Sequence, residues 1–343
     1  MAHFLEVEGL QKYFPIGKNL LGRPKQVVKA VEQVSFAAER GKTLGIVGES
    51  GCGKSTTARL LMDLISPDAG RITLDGETYG KGRDRKPIRE LRKRMQMVFQ
   101  DSYASLNARL TIEESIAFGP KIHGVSESAA RAKARDLLDR VGLAPDNFIR
   151  RYPHELSGGQ RQRVNIARAL AIDPEIVILD EAVSALDKSV QAQVLNLLAD
   201  LKADYGLTYL FISHDLNVVQ YVSDTVIVMY LGQVVESGPA HSLYANPAHP
   251  YTAALLSALP ALHPEDRKTH APLEGDPPNP ISPPSGCRFH PRCPYAEAVC
   301  GEKMPPLTDL GAGRHVACHM RIEGSGYSEP RPLAAPTATP TTP

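Results

Sequence analysis

Gly48-Glu49-Ser50-Gly51-Cys52-Gly53-Lys54-Ser55-Thr56 has the spacing G-x-x-x-x-G-K-S, the pattern of a loop that binds phosphate groups. Gly48, Gly51 and Gly53 remove the Cβ atoms that would hold an anion away from the backbone. The loop amides and the start of the next helix then face a polyphosphate with positive partial charge. Lys54 adds a full charge toward the β- and γ-phosphates, and the Ser55 hydroxyl suits a Mg2+ ligand. The pattern needs a strand before it and a helix after it. Both are predicted here, from the apolar run Thr43-Leu44-Gly45-Ile46-Val47 and the amphipathic stretch 57–65. Cys52 is needed only for its backbone, so its thiol reads as incidental.

A second constellation fits the same chemistry. Ile176-Val177-Ile178-Leu179-Asp180-Glu181 is an apolar strand that ends in two carboxylates. Asp180 is suited to hold Mg2+ opposite Ser55, and Glu181 to orient or deprotonate an attacking water. Phosphoryl transfer needs this division, with one carboxylate on the metal and one on the nucleophile. Alone, the segment reads equally well as a buried strand with a polar end. Leu156-Ser157-Gly158-Gly159-Gln160 opens a helix predicted over 161–171, with Ser157 as its N-cap. Its two glycines expose backbone amides, which makes a second anion site without a phosphate loop of its own.

These residues need a scaffold. Strands are predicted at Leu5–Glu8 (in edge-like alternation), 27–36, 43–47, 71–76, 176–180, 207–212 and 225–230. Helical periodicity runs through 112–170. Over 129–141 it places Ala132, Leu137, Leu138 and Val141 on one face. A longer helix is predicted over 189–205. The alternation is βαβ and implies an α/β fold with a largely parallel sheet. The 343 residues exceed the usual size of one domain, so one large and one smaller unit are expected. Apolar residues, at 42%, suffice for an ordinary core. Lys+Arg at 39 and Asp+Glu at 38 nearly cancel, so no bulk field draws in nucleic acid or an anionic membrane. No apolar run approaches the ~18 residues of a spanning helix, and the N-terminus does not read as a secretory signal. The chain is expected to be soluble and to reach a membrane only through a partner.

From about Ala240 the composition turns to Pro, His and Cys, and from Ser328 to Pro, Thr and Ala. That last stretch, 328–343, cannot bury enough apolar surface to fold. Cys287, Cys293, Cys300 and Cys318 crowd the C-terminal part. Four thiolates there suit a tetrahedral site, either zinc or one iron–sulfur cluster. The absence of a C-x-x-C knuckle leans toward the cluster, and inert free thiols remain the plainer alternative.

In order and spacing, the motifs resemble the nucleotide-binding subunit of an ABC transporter, with Leu156–Gln160 as that family's signature. The resemblance implies further roles. Gln100, in Met97-Val98-Phe99-Gln100-Asp101, matches the loop glutamine that completes the Mg2+ shell and meets the membrane partner. Ser184-Ala185-Leu186-Asp187 matches the D-loop. His214 matches the switch histidine at the γ-phosphate. Phe14 or Tyr13 matches the aromatic residue stacked on adenine, and spacing favours Phe14. Alone, His214 would read as a polar strand end and Phe14 as a core contact. Ala182 and Lys188 depart from the family pattern without removing a group needed for hydrolysis.

The Cys-rich segment, Asn246–Thr252 and Val98–Leu110 resemble the oligopeptide/dipeptide permease ATPases, members of which carry a 4Fe–4S cluster at matching cysteines. The implied fold is a RecA-like core with an antiparallel β subdomain and a helical subdomain at about 101–165. An ATPase domain over 1–240 and a C-terminal region over 241–327 follow from it. Two ATPase chains, identical or paralogous, would sandwich ATP, with the signature acting on the partner's site. The implied partners are two membrane-spanning permease subunits and, indirectly, a solute-binding protein. The implied activity is ATP hydrolysis that drives import of short peptides, at the cytoplasmic face of the cell membrane. Nickel or glutathione is the alternative cargo. A non-transport ABC ATPase is a weaker rival, since the chain has no long coiled coil and one ATPase unit.

Overall fold

The computed structural model describes residues 3–18, 24–80, 85–258 and 275–328. The first half of the chain forms β1 (Leu5–Lys18), β2 (Pro24–Ala38), β3 (Thr43–Val47), α1 (Lys54–Leu61), β4 (Ala69–Leu74), β5 (Glu77–Tyr79), α2 (Ile88–Arg94) and β6 (Met95–Val98). A helical stretch follows: α3 (Ile112–Ile122), α4 (Glu127–Arg140), α5 (Pro145–Phe148) and α6 (Gly158–Leu170). Next come β7 (Ile176–Asp180), α7 (Lys188–Tyr205), β8 (Thr208–Ile212), α8 (Leu216–Val222), β9 (Thr225–Tyr230), β10 (Gln233–Pro239), α9 (Ala240–Ala245) and α10 (Pro250–Ser257). The last elements are α11 (Ala298–Glu302), β11 (Thr308–Gly311) and β12 (Arg314–Val316). The tail expected at 328–343 lies, beyond Ser328, outside the described residues.

Two sheets organise these elements. The smaller is antiparallel, in the order β2-β1-β4-β5. The edge-strand expectation for Leu5–Glu8 is therefore corrected, because β1 pairs with β2 on one side and β4 on the other. Its alternation reports one-faced burial, which an interior strand of an antiparallel sheet shares with an edge strand. The larger sheet runs β11-β12-β10-β9-β3-β8-β7-β6, and the five strands β9, β3, β8, β7 and β6 are parallel. Every residue of β3, β7 and β8 is buried. Strands covered on both faces read as unbroken apolar runs, which is how these three stood out in the sequence. Leu44 and Ile46 pack with Leu60 and Leu61 of α1 and Leu5 of β1, while Val47 joins the core under the helices.

The helices between β6 and β7 form their own layer. Thr111 and Glu114 close a capping box at the start of α3. The face of α4 that is buried comprises Ala130, Ala134, Leu137 and Leu138. Ala132, expected on that face, is exposed. Its offset of five from Leu137 falls between the i+4 and i+7 positions that share a helix stripe.

The C-terminal segment is woven into the larger sheet. β12 pairs with β10 through Glu236–Val316 and Ser237–His315. Glu236 is 1% exposed, and its carboxylate accepts from the amides of Ala248 (2.7 Å) and His249 (2.8 Å) and pairs with Arg314 at 3.4 Å. Burial pushes this carboxyl up from its ordinary range, against the two amides and the guanidinium. It anchors the residues just before α10, so the 240–257 stretch is fastened to the ATPase sheet. No helix among the described residues is long and apolar enough to cross a membrane.

Candidate active site

The ends of β3, β7 and β8 lie at one edge of the parallel sheet. β3 sits between β8 and β9, so the chain order reverses around it, where crevices form in open α/β sheets. The loop from Gly48 to Gly53 leaves this edge and enters α1. Gly48 has φ 149° and Gly53 has φ 107°. A Cβ would stand 2.2 Å from the Met229 carbonyl oxygen at Gly48, and 2.4 Å from that of Ala30 at Gly53. Glycine is thus demanded by the protein's own backbone as well as by any anion.

Lys54 is 5% exposed and curls back into the loop, donating from Nζ to the carbonyls of Gly48 (2.7 Å) and Glu49 (3.0 Å). Cys52 is buried 3.8 Å from that ammonium, and burial raises its thiol pKa. Ser55 donates to Asp180 Oδ1 at 2.8 Å. Asp180 is 3% exposed. Burial pushes its carboxyl up, and the Ser55 bond opposes that shift. A bound divalent cation would reverse the balance and favour the carboxylate.

Glu181 follows at φ 49°, a left-handed conformation uncommon for a residue with a side chain. Its amide donates to the Ile212 carbonyl at 2.9 Å, and the hydroxyl and amide of Ser184 close the turn onto its own carbonyl. Ala182 is buried inside that turn. The Glu181 carboxylate accepts from Gln100 Nε2 at 2.8 Å and lies 3.4 Å from His214 Nδ1. Ser55, Asp180 with Glu181, Gln100 and His214, from four separate parts of the chain, therefore form one connected row. Lys188 is used as well, pairing with Asp215 at 3.0 Å, where Asp215 caps α8.

The signature residues do not join this row. Ser157 caps α6 and forms a capping box with Gln160. Their side chains bond within the box: the Ser157 amide donates to Gln160 Oε1, and the Gln160 amide to the Ser157 hydroxyl. Gly158 lies against Leu186 of the D-loop, and a Cβ on Gly159 would strike Val190 of α7 at 2.5 Å. Asp187 caps α7. At the other end of the chain, the Tyr13 hydroxyl donates to Glu32 at 2.9 Å, while Phe14 lies under Lys12.

Two residues from the C-terminal stretch, Tyr251 and Arg292, also reach the loop. Glu49 Oε1 and Oε2 accept from both terminal nitrogens of Arg292 at 3.1 and 2.9 Å, and the Glu49 amide donates to the Tyr251 hydroxyl at 2.9 Å. Both partners sit in the C-terminal stretch, far along the chain, and no local pattern marks them.

Cys287, Cys293, Cys300 and Cys318 line one cavity, together with Phe289 and Met320. None is in a disulfide. Burial pushes the Cys293 and Cys318 thiols up to about 12. Left to themselves these thiols stay protonated and inert, and a bound cation would favour their thiolates. Among the described residues, no three His, Cys, Asp or Glu side chains are placed to hold a single metal ion.

With this geometry in view, known proteins agree. Residues 31–184 match the family model for the ABC transporter, and residues 235–300 match that for the oligopeptide/dipeptide transporter C-terminal region. The solved structure of cbiO1 from Clostridium perfringens, described as part of the ABC transporter complex cbiONQ, superposes with a TM-score of 0.60 at 28% identity. The match covers 71% of this chain and 91% of that one. The fold and the phosphate loop define an ABC-type P-loop ATPase, which uses ATP and Mg2+. The oligopeptide transport ATP-binding protein AppF of Bacillus subtilis is 49% identical over 319 residues, 92% of this chain and 97% of the relative. The dipeptide transport ATP-binding protein DppF of Haemophilus influenzae is 48% identical, covering 92% and 95%. The di/tripeptide transport ATP-binding protein DppF of Pseudomonas aeruginosa is 47% identical, covering 93% and 98%. The chain belongs to the family of oligopeptide/dipeptide ABC transporter ATP-binding proteins.

Proposed function

We propose that this chain is the ATP-hydrolysing subunit of an importer for short peptides, working with two membrane-spanning subunits at the cytoplasmic face of the membrane. The observation that carries the cargo is the similarity over nearly the whole length to relatives named for oligopeptides, dipeptides and tripeptides, with the C-terminal region included. Residues 48–56 hold the phosphates, with Lys54 turning from its loop carbonyls toward them. Ser55, Asp180 and Gln100 hold Mg2+, which supplies charge neutralisation at the β- and γ-phosphates. Glu181 orients and deprotonates the attacking water, and His214, 3.4 Å away, reaches the γ-phosphate. Phe14 stacks on adenine. In support, the Tyr13 hydroxyl is committed to Glu32. Residues 156–160 and the D-loop, 184–187, complete the site of a second ATPase chain.

The membrane subunit docks beside Gln100–Leu110. There Tyr103 is 52% exposed, and Phe118 and Ile122 on α3 are 57% and 53% exposed. Large exposed apolar side chains on this loop and on the following helix suit a helix from a partner. Reassembled with its membrane subunits and binding protein in lipid vesicles, the chain is expected to hydrolyse ATP faster when di- or oligopeptides are supplied. Stimulation by nickel or glutathione, with none by peptides, would transfer the cargo assignment.

The C-terminal thiols hold one 4Fe–4S cluster in this reading. Four thiols lining a single cavity support it. The role is structural, tying together a Pro-rich segment with little apolar content of its own. Anaerobically purified protein should be brown and hold about four irons per chain. A colourless preparation with one zinc per chain would establish the zinc alternative instead.

A further inference from the structure

Between Cys287 and Cys293 the C-terminal segment reaches the phosphate-binding loop. Arg288 is 4% exposed, paired with Glu32, and donates to the Leu231 carbonyl. Phe289 is 1% exposed and packs its ring against Tyr230 and Tyr251, each with centroids 5.4 Å away. The 3-10 turn His290–Arg292 then aims Arg292 at the loop. The Arg292 side chain is only 6% exposed, and it meets Glu49 with both terminal nitrogens. The Glu49 carboxylate holds that guanidinium above its ordinary range. Tyr251, fully buried, takes the Glu49 amide.

Glu49 places a negative charge inside a loop built for polyanions. Left uncompensated, that carboxylate would repel the phosphates at close range. A forked, largely buried guanidinium neutralises it and fixes its direction, which a single flexible ammonium does less well. The Tyr251 hydroxyl meanwhile engages the one amide that would otherwise move with the Glu49 backbone. We infer that Arg292 and Tyr251 are positioning residues for the phosphate-binding loop, so that the C-terminal segment sets the affinity of the ATP site. This rests on the assignment of 48–56 as the nucleotide site and extends it to residues outside the ATPase motifs.

The test measures the Kd of a fluorescent ATP analogue with Mg2+ on the full-length, anaerobically purified chain. Arg292→Gln should raise Kd about tenfold, the size of one charge-assisted interaction lost. Glu49→Gln, which removes the carboxylate from the loop, supplies the reference for the double variant. The double variant should return to within about threefold of the parent, since the unpaired carboxylate is gone. Arg292→Lys should recover part of the loss. In the assembled transporter, Arg292→Gln should raise KM for ATP and leave kcat near the parent value, a split that general unfolding does not produce. Lys54→Ala serves as the control that loses binding outright. If Lys54→Ala loses binding while Arg292→Gln keeps the parent Kd, the positioning role is overturned and the nucleotide site stands. A double variant as weak as Arg292→Gln alone would also overturn it. Should Arg292→Gln fail to fold, Tyr251→Phe keeps the buried ring and removes only the acceptor of the Glu49 amide. Its Kd should rise severalfold, and an unchanged Kd refutes the proposal.

Discussion

Glu181→Gln is expected to cut ATP turnover by at least about a hundredfold while leaving ATP binding intact, the loss that follows removal of a positioned general base. The change keeps the shape of the side chain and its hydrogen bonding to Gln100, but removes the proton acceptor. Because Glu181 already lies within 3.4 Å of His214 and bonds Gln100, the substitution should alter the chemistry without dismantling the row. The bound-ATP state should then accumulate as a dimer on gel filtration when the correct second ATPase is present. Lys54→Ala behaves differently: binding itself is lost, because the buried ammonium is the loop's only full positive charge. Hydrolysis by Glu181→Gln at near-parent rates in the complete transporter would show that another group is the principal base.

Ser157→Arg should have its effect only in company. The Ser157 hydroxyl and amide are occupied within the capping box at the start of α6. An isolated chain carrying the variant should bind ATP as the parent does, since residues 48–56 supply its phosphate contacts. In the assembled pair, turnover should fall roughly a hundredfold, the scale on which loss of one preorganised donor is felt. Loss of ATP binding by the isolated, folded variant would mean that the signature serves its own chain's site and that the two-chain sandwich is wrong here.

What could be read from the residues alone follows from the range of each interaction. The strand before Gly48, the helix after it and the carboxylates at the end of β7 are local patterns, and β3, β7 and β9 fall at or within one residue of the predicted bounds. His214 and Gln100 were legible only as members of an ordered set, because neither has a neighbour in sequence that marks it. The pair Glu49–Arg292 spans 243 positions, and an ion pair at that separation leaves no periodic trace. The pairing of β12 with β10 was missed for a related reason. Arg314–Val316 is three residues long, too short for alternation to register. Ala132 was misplaced because small residues fit both the buried and the exposed side of α4.

The β11–β12 hairpin has a consequence for how this protein behaves in a crowded cell. Without it, β10 would end the larger sheet as a bare edge whose free amides and carbonyls could recruit a strand from any passing chain. β12 occupies the middle of that edge, and β11 moves the boundary outward to four residues, Thr308–Gly311, that include an aspartate and end in glycine. A short, polar, glycine-ended strand is a poor template for further addition. The same C-terminal segment that touches the phosphate loop thus also insulates the molecule against self-association through this edge of its larger sheet.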